Sequence, residues 1–209
     1  MARKTRIVIL SVIFVISVFF TIKTHSDLEK RLFRLKEPVA PVELAKTAVE
    51  KYLLEGKMTV PAGIQDVDNQ NTGVFVTIIN KENGLRGCVG SIPSLTYFNN
   101  TADEIVNIAI RSAVNDKRFD PVSKEELENL AYSVDILEKP VDIKSTDELD
   151  PKKFGVIVFS GKKAGILLPD IKGVNTPEQQ IKYAKINGNI RQDEEIDKIQ
   201  KFAVQRFNS

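Results

Sequence analysis

A chain of 209 residues, 42% hydrophobic and 28% charged, has room for one sizeable domain and a short appendage, and is too apolar for wholesale disorder. The net charge is +2; without Arg3, Lys4 and Arg6 the 30 basic residues fall to 27 against 28 acidic ones, so the body lacks the basic footprint of a nucleic-acid binder. One cysteine, Cys88, excludes an internal disulfide. The one histidine, His25, sits beside the N-terminal apolar run, which excludes the usual Cys/His zinc sites and, unless it folds back, a histidine dyad in the domain.

Ile7 to Ile22 is apolar apart from Ser11, Ser17 and Thr21. As a helix it covers ~24 Å, slightly short of a hydrocarbon core, with Arg6 and Lys23 placed to snorkel. Thr21 to Ser26 offers no small-x-small cleavage site. Residues 1–23 therefore read as an uncleaved single-pass membrane anchor; a cleaved signal peptide with Arg3, Lys4 and Arg6 as its basic region, and a buried helix, are the alternatives. The N-terminal charges favour a domain outside the cytoplasm, whereas Lys23, Lys30, Arg31, Arg34 and Lys36 pull the other way. Residues 24–41 read as a charged juxtamembrane linker, and the domain runs from 42 to 209.

Leu44, Ala45, Ala48, Val49, Tyr52 and Leu53 recur at helical spacing, with Gly56 as the stop. Pro61 to Thr72 reads as a loop. Val74 to Ile79 reads as a strand, and Asn83-Gly84 as a hairpin turn into a second strand from Leu85. Thr101-Ala102-Asp103-Glu104 matches a capping box, predicting a helix from Ala102 to about Asn115. Lys117 to Pro121 is a turn, and Ser123-Lys124-Glu125-Glu126 a second capping box. Tyr132, Val134 and Ile136 alternate with Ser133, Asp135 and Leu137, as in a strand with one wet face. Val156 to Phe159 and Ala164 to Leu168 bracket Ser160-Gly161-Lys162-Lys163 as another hairpin. Thr176-Pro177-Glu178-Gln179 opens a helix that ends at Asn187-Gly188. The tail is read as a helix-like lead-in through Ile196, Ile199 and Phe202, then a terminal strand. Hairpins mixed with helices, without regular βαβ alternation, predict an α+β fold with a mainly antiparallel sheet and flanking helices.

The chemistry-bearing stretch is Leu85-Arg86-Gly87-Cys88-Val89-Gly90. Gly87 and Gly90 permit positive φ or close approach of another group to bare backbone. Consecutive amides there can face an anion, and Arg86 would add a planar donor. With Arg86 nearby, Cys88 is a candidate nucleophile, radical partner or modification target, and the two are the candidate catalytic residues; a packed, inert thiol is the plainer reading. Asp116 and Arg118, after a helix C-terminus, form a second candidate ligand-binding pair, or else only a cap and turn. Glu138, Asp142 and Asp170 lack metal-loop spacing, so no metal or other cofactor is assigned.

The six-residue stretch resembles the signature of the AMMECR-one domain family, also called AmmeMemoRadiSam system protein A, which typically reads LRGCIG. Asp116-Lys117-Arg118-Phe119 resembles its D-P-R-F with lysine for proline. Val134 to Leu137 with Lys139-Pro140, and Gly165 to Pro169, are similar to its S-V-L-x-x-P and G-L-L-L-P segments. The resemblance implies two unequal subdomains around a cleft, and partnership with a Memo-like protein and a radical S-adenosylmethionine protein. It implies no established activity, and an N-terminal anchor lies outside the family's usual pattern. The expectation is a membrane-tethered domain whose cleft, at Arg86 and Cys88 with Gly87, Gly90, Asp116 and Arg118, binds a small or peptidic anionic ligand. A non-catalytic adaptor whose motif only shapes a turn is the rival expectation.

Overall fold

The computed structural model describes residues 40–58, 73–93, 95–96 and 98–209. The expected anchor at 1–23, the linker apart from its last two residues, and the whole of the expected loop at Pro61–Thr72 lie outside the described residues. Among the described residues no helix is long and apolar enough to cross a membrane.

Pro41, with φ already fixed at a helical value, starts α1 (Pro41–Glu55), and Gly56 in the left-handed region (φ 69°) ends it. Alternating apolar residues make β1 (Val74–Asn80), which turns at Gly84 into β2 (Gly84–Gly90). Helix α2 (Thr101–Val114) follows, then a capping-boxed 3-10 turn (Lys124–Asn129) and β3 (Leu130–Leu137). The chain continues through β4 (Val141–Asp142), β5 (Gly155–Ser160), β6 (Lys163–Leu167), α3 (Pro177–Asn187), β7 (Lys198–Phe202) and β8 (Val204–Asn208). All strand pairs are antiparallel, in two four-stranded sheets ordered β2-β1-β3-β8 and β4-β7-β5-β6. This is the expected α+β fold with flanking helices.

The period of two sorts each strand of the first sheet between two environments. Val74, Val76, Ile78, Tyr132 and Val134 are buried on the side that packs against α1 and α2, where Leu44, Val49, Ile105 and Ile108 meet them. Each such side chain contributes about 1.5–3 kcal/mol of transfer free energy, so this face anchors the domain. On the opposite face Leu137 joins Ile157, Ile166, Leu168 and Phe202 in a cluster that ties the two sheets together. A third cluster, Val156, Val158, Ala184 and Ile190, seats α3 on the second sheet.

Three local expectations are corrected. The N-cap of α2 is Asn100, whose side chain accepts from the Asp103 amide, so the helix begins at Thr101. Glu104 does not reach back to a cap. Its side chain is buried and accepts from the Ser91 hydroxyl, and burial raises its pKa. In the tail, Ile199 and Phe202 belong to β7: pairing with β5 across Gly155–Phe202 and Val158–Ile199 overrides their helix-like spacing. The wet face of β3 exists, but Asp135 on it is only 2% exposed, covered by Arg206.

Candidate functional site

Strand β2 is an edge strand, and its backbone is shaped from both sides. Pairing with β1 shifts register between Ile78–Gly87 and Ile79–Leu85, leaving Arg86 as the extra residue of a bulge. Gly87 lies under α2: a Cβ there would collide with the Ser112 carbonyl oxygen, and one at Gly90 with the Phe75 ring. Neither glycine has positive φ; close approach is the reason for both. Ser112 completes the contact, accepting from the Val89 amide (3.0 Å) and donating to the Val76 carbonyl (2.8 Å).

The amides beside Cys88 do not await an outside anion. The Cys88 N–H donates to Asp116 Oδ2 (2.8 Å), so the anion at this turn is the protein's own carboxylate. Arg118 grips the same carboxylate through Nε (2.9 Å) and Nη2 (2.6 Å), and its Nη2 also donates to the Cys88 carbonyl (3.1 Å). Asp116 and Arg118 together therefore occupy the outward N–H and C=O of Cys88, as a neighbouring strand would. Arg118 holds the Asp116 carboxyl well below its usual range, at about 2. The Arg118 side chain remains 57% exposed, lies over the Phe119 ring, and has no protein partner for Nη1 among the described residues.

Arg86 goes elsewhere. Its Nε and Nη2 pair with Glu126 (2.7 and 3.0 Å), and Nη1 and Nη2 donate to the carbonyls of Asp120 and Pro121 (2.8 and 3.2 Å). That pairing holds the Glu126 carboxyl below its ordinary value. The expectation that Arg86 and Cys88 face one hollow is thus corrected: the bulge turns Arg86 toward the 120–126 turn, and Arg118 takes the place beside Cys88.

A cleft of about 630 Å³ opens on the free face of the first sheet. One wall is Phe75, Thr77, Ile79, Leu85, Cys88 and Ser133; the other is Ile166, Leu167, Leu168, Ile171 and Asn187. Arg118, Asp135, Asp170, Arg206 and Asn208 supply its polar rim. Cys88 is half-buried with Sγ 3.3 Å from Thr77 Oγ1. Burial pushes the thiol's pKa up, against the pull of Thr77 and Arg118, so the thiol is protonated at neutral pH. Across the sheet Arg206 clasps Asp135 through Nε (2.7 Å) and Nη2 (3.2 Å). Sequence reading missed this pair because 71 residues separate its members and only the β3–β8 register joins them. Among the described residues no group of three or more His, Cys, Asp or Glu side chains is placed to hold a metal ion.

An α+β fold of two antiparallel sheets, with the LRGCVG edge strand facing a cleft, matches one known class of protein. The AMMECR1 family profile covers residues 42–209, and the chain belongs to that family. A Thermotoga maritima protein is 39% identical over 168 residues, spanning 79% of this chain and 95% of the relative. A Clostridium acetobutylicum protein is 40% identical over 168 residues, but the match spans only 35% of that longer chain. The crystal structure of an uncharacterized Pyrococcus horikoshii protein, PH0010, superposes with a TM-score of 0.69 at 29% identity, covering 81% of this chain and 89% of that one.

Proposed function

We propose that this AMMECR1-domain protein is a ligand-binding protein whose cleft holds a small or peptidic carboxylate, with its anionic end on Arg118 beside Cys88. The observation that carries the reading is a guanidinium fixed by Asp116, open to solvent, and lining the same cleft as the one thiol of the chain. Orientation by Asp116 lowers the entropy cost of using the remaining Arg118 donors, and apolar walls suit the ligand's body. With Arg118 balanced by Asp116, and Arg206 by Asp135, the cleft favours one directional carboxylate contact over a polyanion.

A nucleophilic role for Cys88 has less support than a contact or acceptor role, because burial keeps its thiol protonated and no imidazole is near it among the described residues. The same facts favour the second reading, a non-catalytic adaptor. The family resemblance supports a setting with a Memo-like protein and a radical S-adenosylmethionine protein in a modification pathway. The run from Ile7 to Ile22 supports a single-pass tether.

Equilibrium dialysis of the protein against a mixture of mono- and dicarboxylic acids and their amides tests the binding reading. Selective retention of free acids, lost in Arg118→Gln and kept in Arg86→Gln, is expected. Equal retention of acids and amides, or loss in Arg86→Gln alone, would overturn it.

A further inference from the structure

The cleft face of the first sheet is ordered in rungs that no single strand reveals. Register sets Cys88 opposite Thr77, Thr77 opposite Ser133, and Ser133 opposite Asn208. Every strand of the sheet thus contributes one short polar side chain at the same level, and all four line the cleft. The rung on one side is Gly90, Phe75, Asp135 and Arg206; the rung on the other begins Leu85 and Ile79. A polar track therefore crosses the sheet between an aromatic and ion-pair rung and an aliphatic one.

Three inter-strand spacings make the track ~14 Å long. Arg118 stands at its β2 end, and Arg206 beside its β8 end. Both guanidinium groups are set by carboxylates whose side chains are nearly buried, Asp116 at 6% and Asp135 at 3% exposure, and both have Nη1 unengaged by the described protein. Thr77 and Cys88 satisfy one another. The Ser133 hydroxyl and the Asn208 amide have no protein partner among the described residues. Each of these two groups both donates and accepts, which is what an amide demands. Phosphate or another polyanion would want only donors and net positive charge, and the cleft has balanced charge instead.

We propose that the track reads the carboxyl-terminal segment of an extended peptide about four residues long, laid across the strands. The terminal carboxylate rests on Arg118 near Cys88. Backbone amides pass over Ser133 and Asn208, and a carbonyl nearest the far end accepts from Arg206. Four extended residues span ~13 Å, the length of the track. Side chains fall alternately toward Phe75 and toward Ile79 and Leu85. The proposal rests on the carboxylate site at Arg118 and adds the substrate class and the far half of the site.

The test is protection of Cys88 in the full chain, held in detergent, from alkylation by iodoacetamide, read by mass spectrometry. The probes are randomised peptide mixtures of two, four and six residues, each as free acid and as C-terminal amide. Free-acid tetrapeptides are expected to slow alkylation at least three-fold, hexapeptides no further, and dipeptides markedly less. Asn208→Ala and Arg206→Lys should each bring tetrapeptide protection down to the dipeptide level, and Arg118→Gln should remove protection by every free acid. Asn208→Ala alters an exposed side chain without protein partners, so it reports on the track even if Arg206→Lys disturbs folding. Equal protection by dipeptides and tetrapeptides, or full tetrapeptide protection in Asn208→Ala and Arg206→Lys, would overturn the track and leave the Arg118 site standing. Absence of protection by any free acid would overturn both.

Discussion

The two faces of the sheet β2-β1-β3-β8 come from the same strands and have opposite characters. Toward α1 and α2 the residues are Val74, Val76, Ile78 and Val134, each at 0% exposure. Toward the cleft they are Phe75, Thr77, Cys88 and Ser133, each half-buried, with the Asp135 carboxylate covered by Arg206. The six-residue motif is divided by this alternation. Gly87 and Val89 meet α2 through Ser112, Arg86 leaves at the bulge, and Leu85 and Cys88 face the cleft. A contiguous motif thus does two jobs: one set of residues lets a helix press on the strand, and the other presents a thiol to the cleft.

The largest effect should come from the closed face. Gly87→Ala pushes a Cβ into the Ser112 carbonyl, which belongs to helix backbone and has no rotamer to escape into. A loss of about 3 kcal/mol or failure to fold is expected, read as the urea midpoint or melting temperature. An unchanged midpoint would mean that α2 is not pressed on β2.

Arg86→Ala should rank next. It strips Glu126 and the carbonyls of Asp120 and Pro121 of their donor, at a cost of about 1–3 kcal/mol. The alkylation rate of Cys88 in the folded protein should stay the same, because Arg86 does not line the cleft. A large rate change at unchanged stability would reverse the roles given to the two faces.

Acid should loosen the strand edge through Asp116. The Asp116 pKa falls from an ordinary 3.8 to about 2 on folding. A lowered carboxylate contributes stability that is full above the unfolded value and is lost as pH drops through the folded one. The stability difference between wild type and Asp116→Asn should therefore shrink between about pH 4 and pH 2. Its ceiling is roughly 2 kcal/mol, and solvent around the 57% exposed Arg118 side chain brings it nearer 1. A difference that is flat across that range would show that Arg118 does not hold the carboxylate.

The smallest effect is expected from Thr77→Val. Removing the hydroxyl that supports the thiolate should raise the Cys88 pKa further and move the alkylation profile to higher pH, with stability changed by under about 1 kcal/mol. A profile that moves to lower pH would contradict the hydrogen bond.

Elements with local signals were legible from residues alone. The Asn83-Gly84 turn, the Thr176 capping box and the apolar runs of β1 and β5 specify themselves within a few residues. Features set by distant partners were not legible. Ile199 and Phe202 carry a helix-like spacing that only the β5 edge overrules. Glu104 reads as a capping glutamate until Ser91 is folded beside it. At the site, Cys88, Asp116 and Arg118 were visible as motif residues, but the bulge that dismisses Arg86 depends on the β1–β2 register. Ser133, Arg206 and Asn208 carry no motif at all and enter through strand pairing alone.

The chemistry proposed for the cleft requires that Arg118, not Arg86, shares it with Cys88. Because the chain has one cysteine, the ratio of its alkylation rates by anionic iodoacetate and neutral iodoacetamide reports the charge beside it. That ratio should fall about three-fold or more in Arg118→Gln and hold at the wild-type value in Arg86→Gln. A fall in Arg86→Gln with no change in Arg118→Gln would put Arg86, not Arg118, beside the thiol and contradict the carboxylate site.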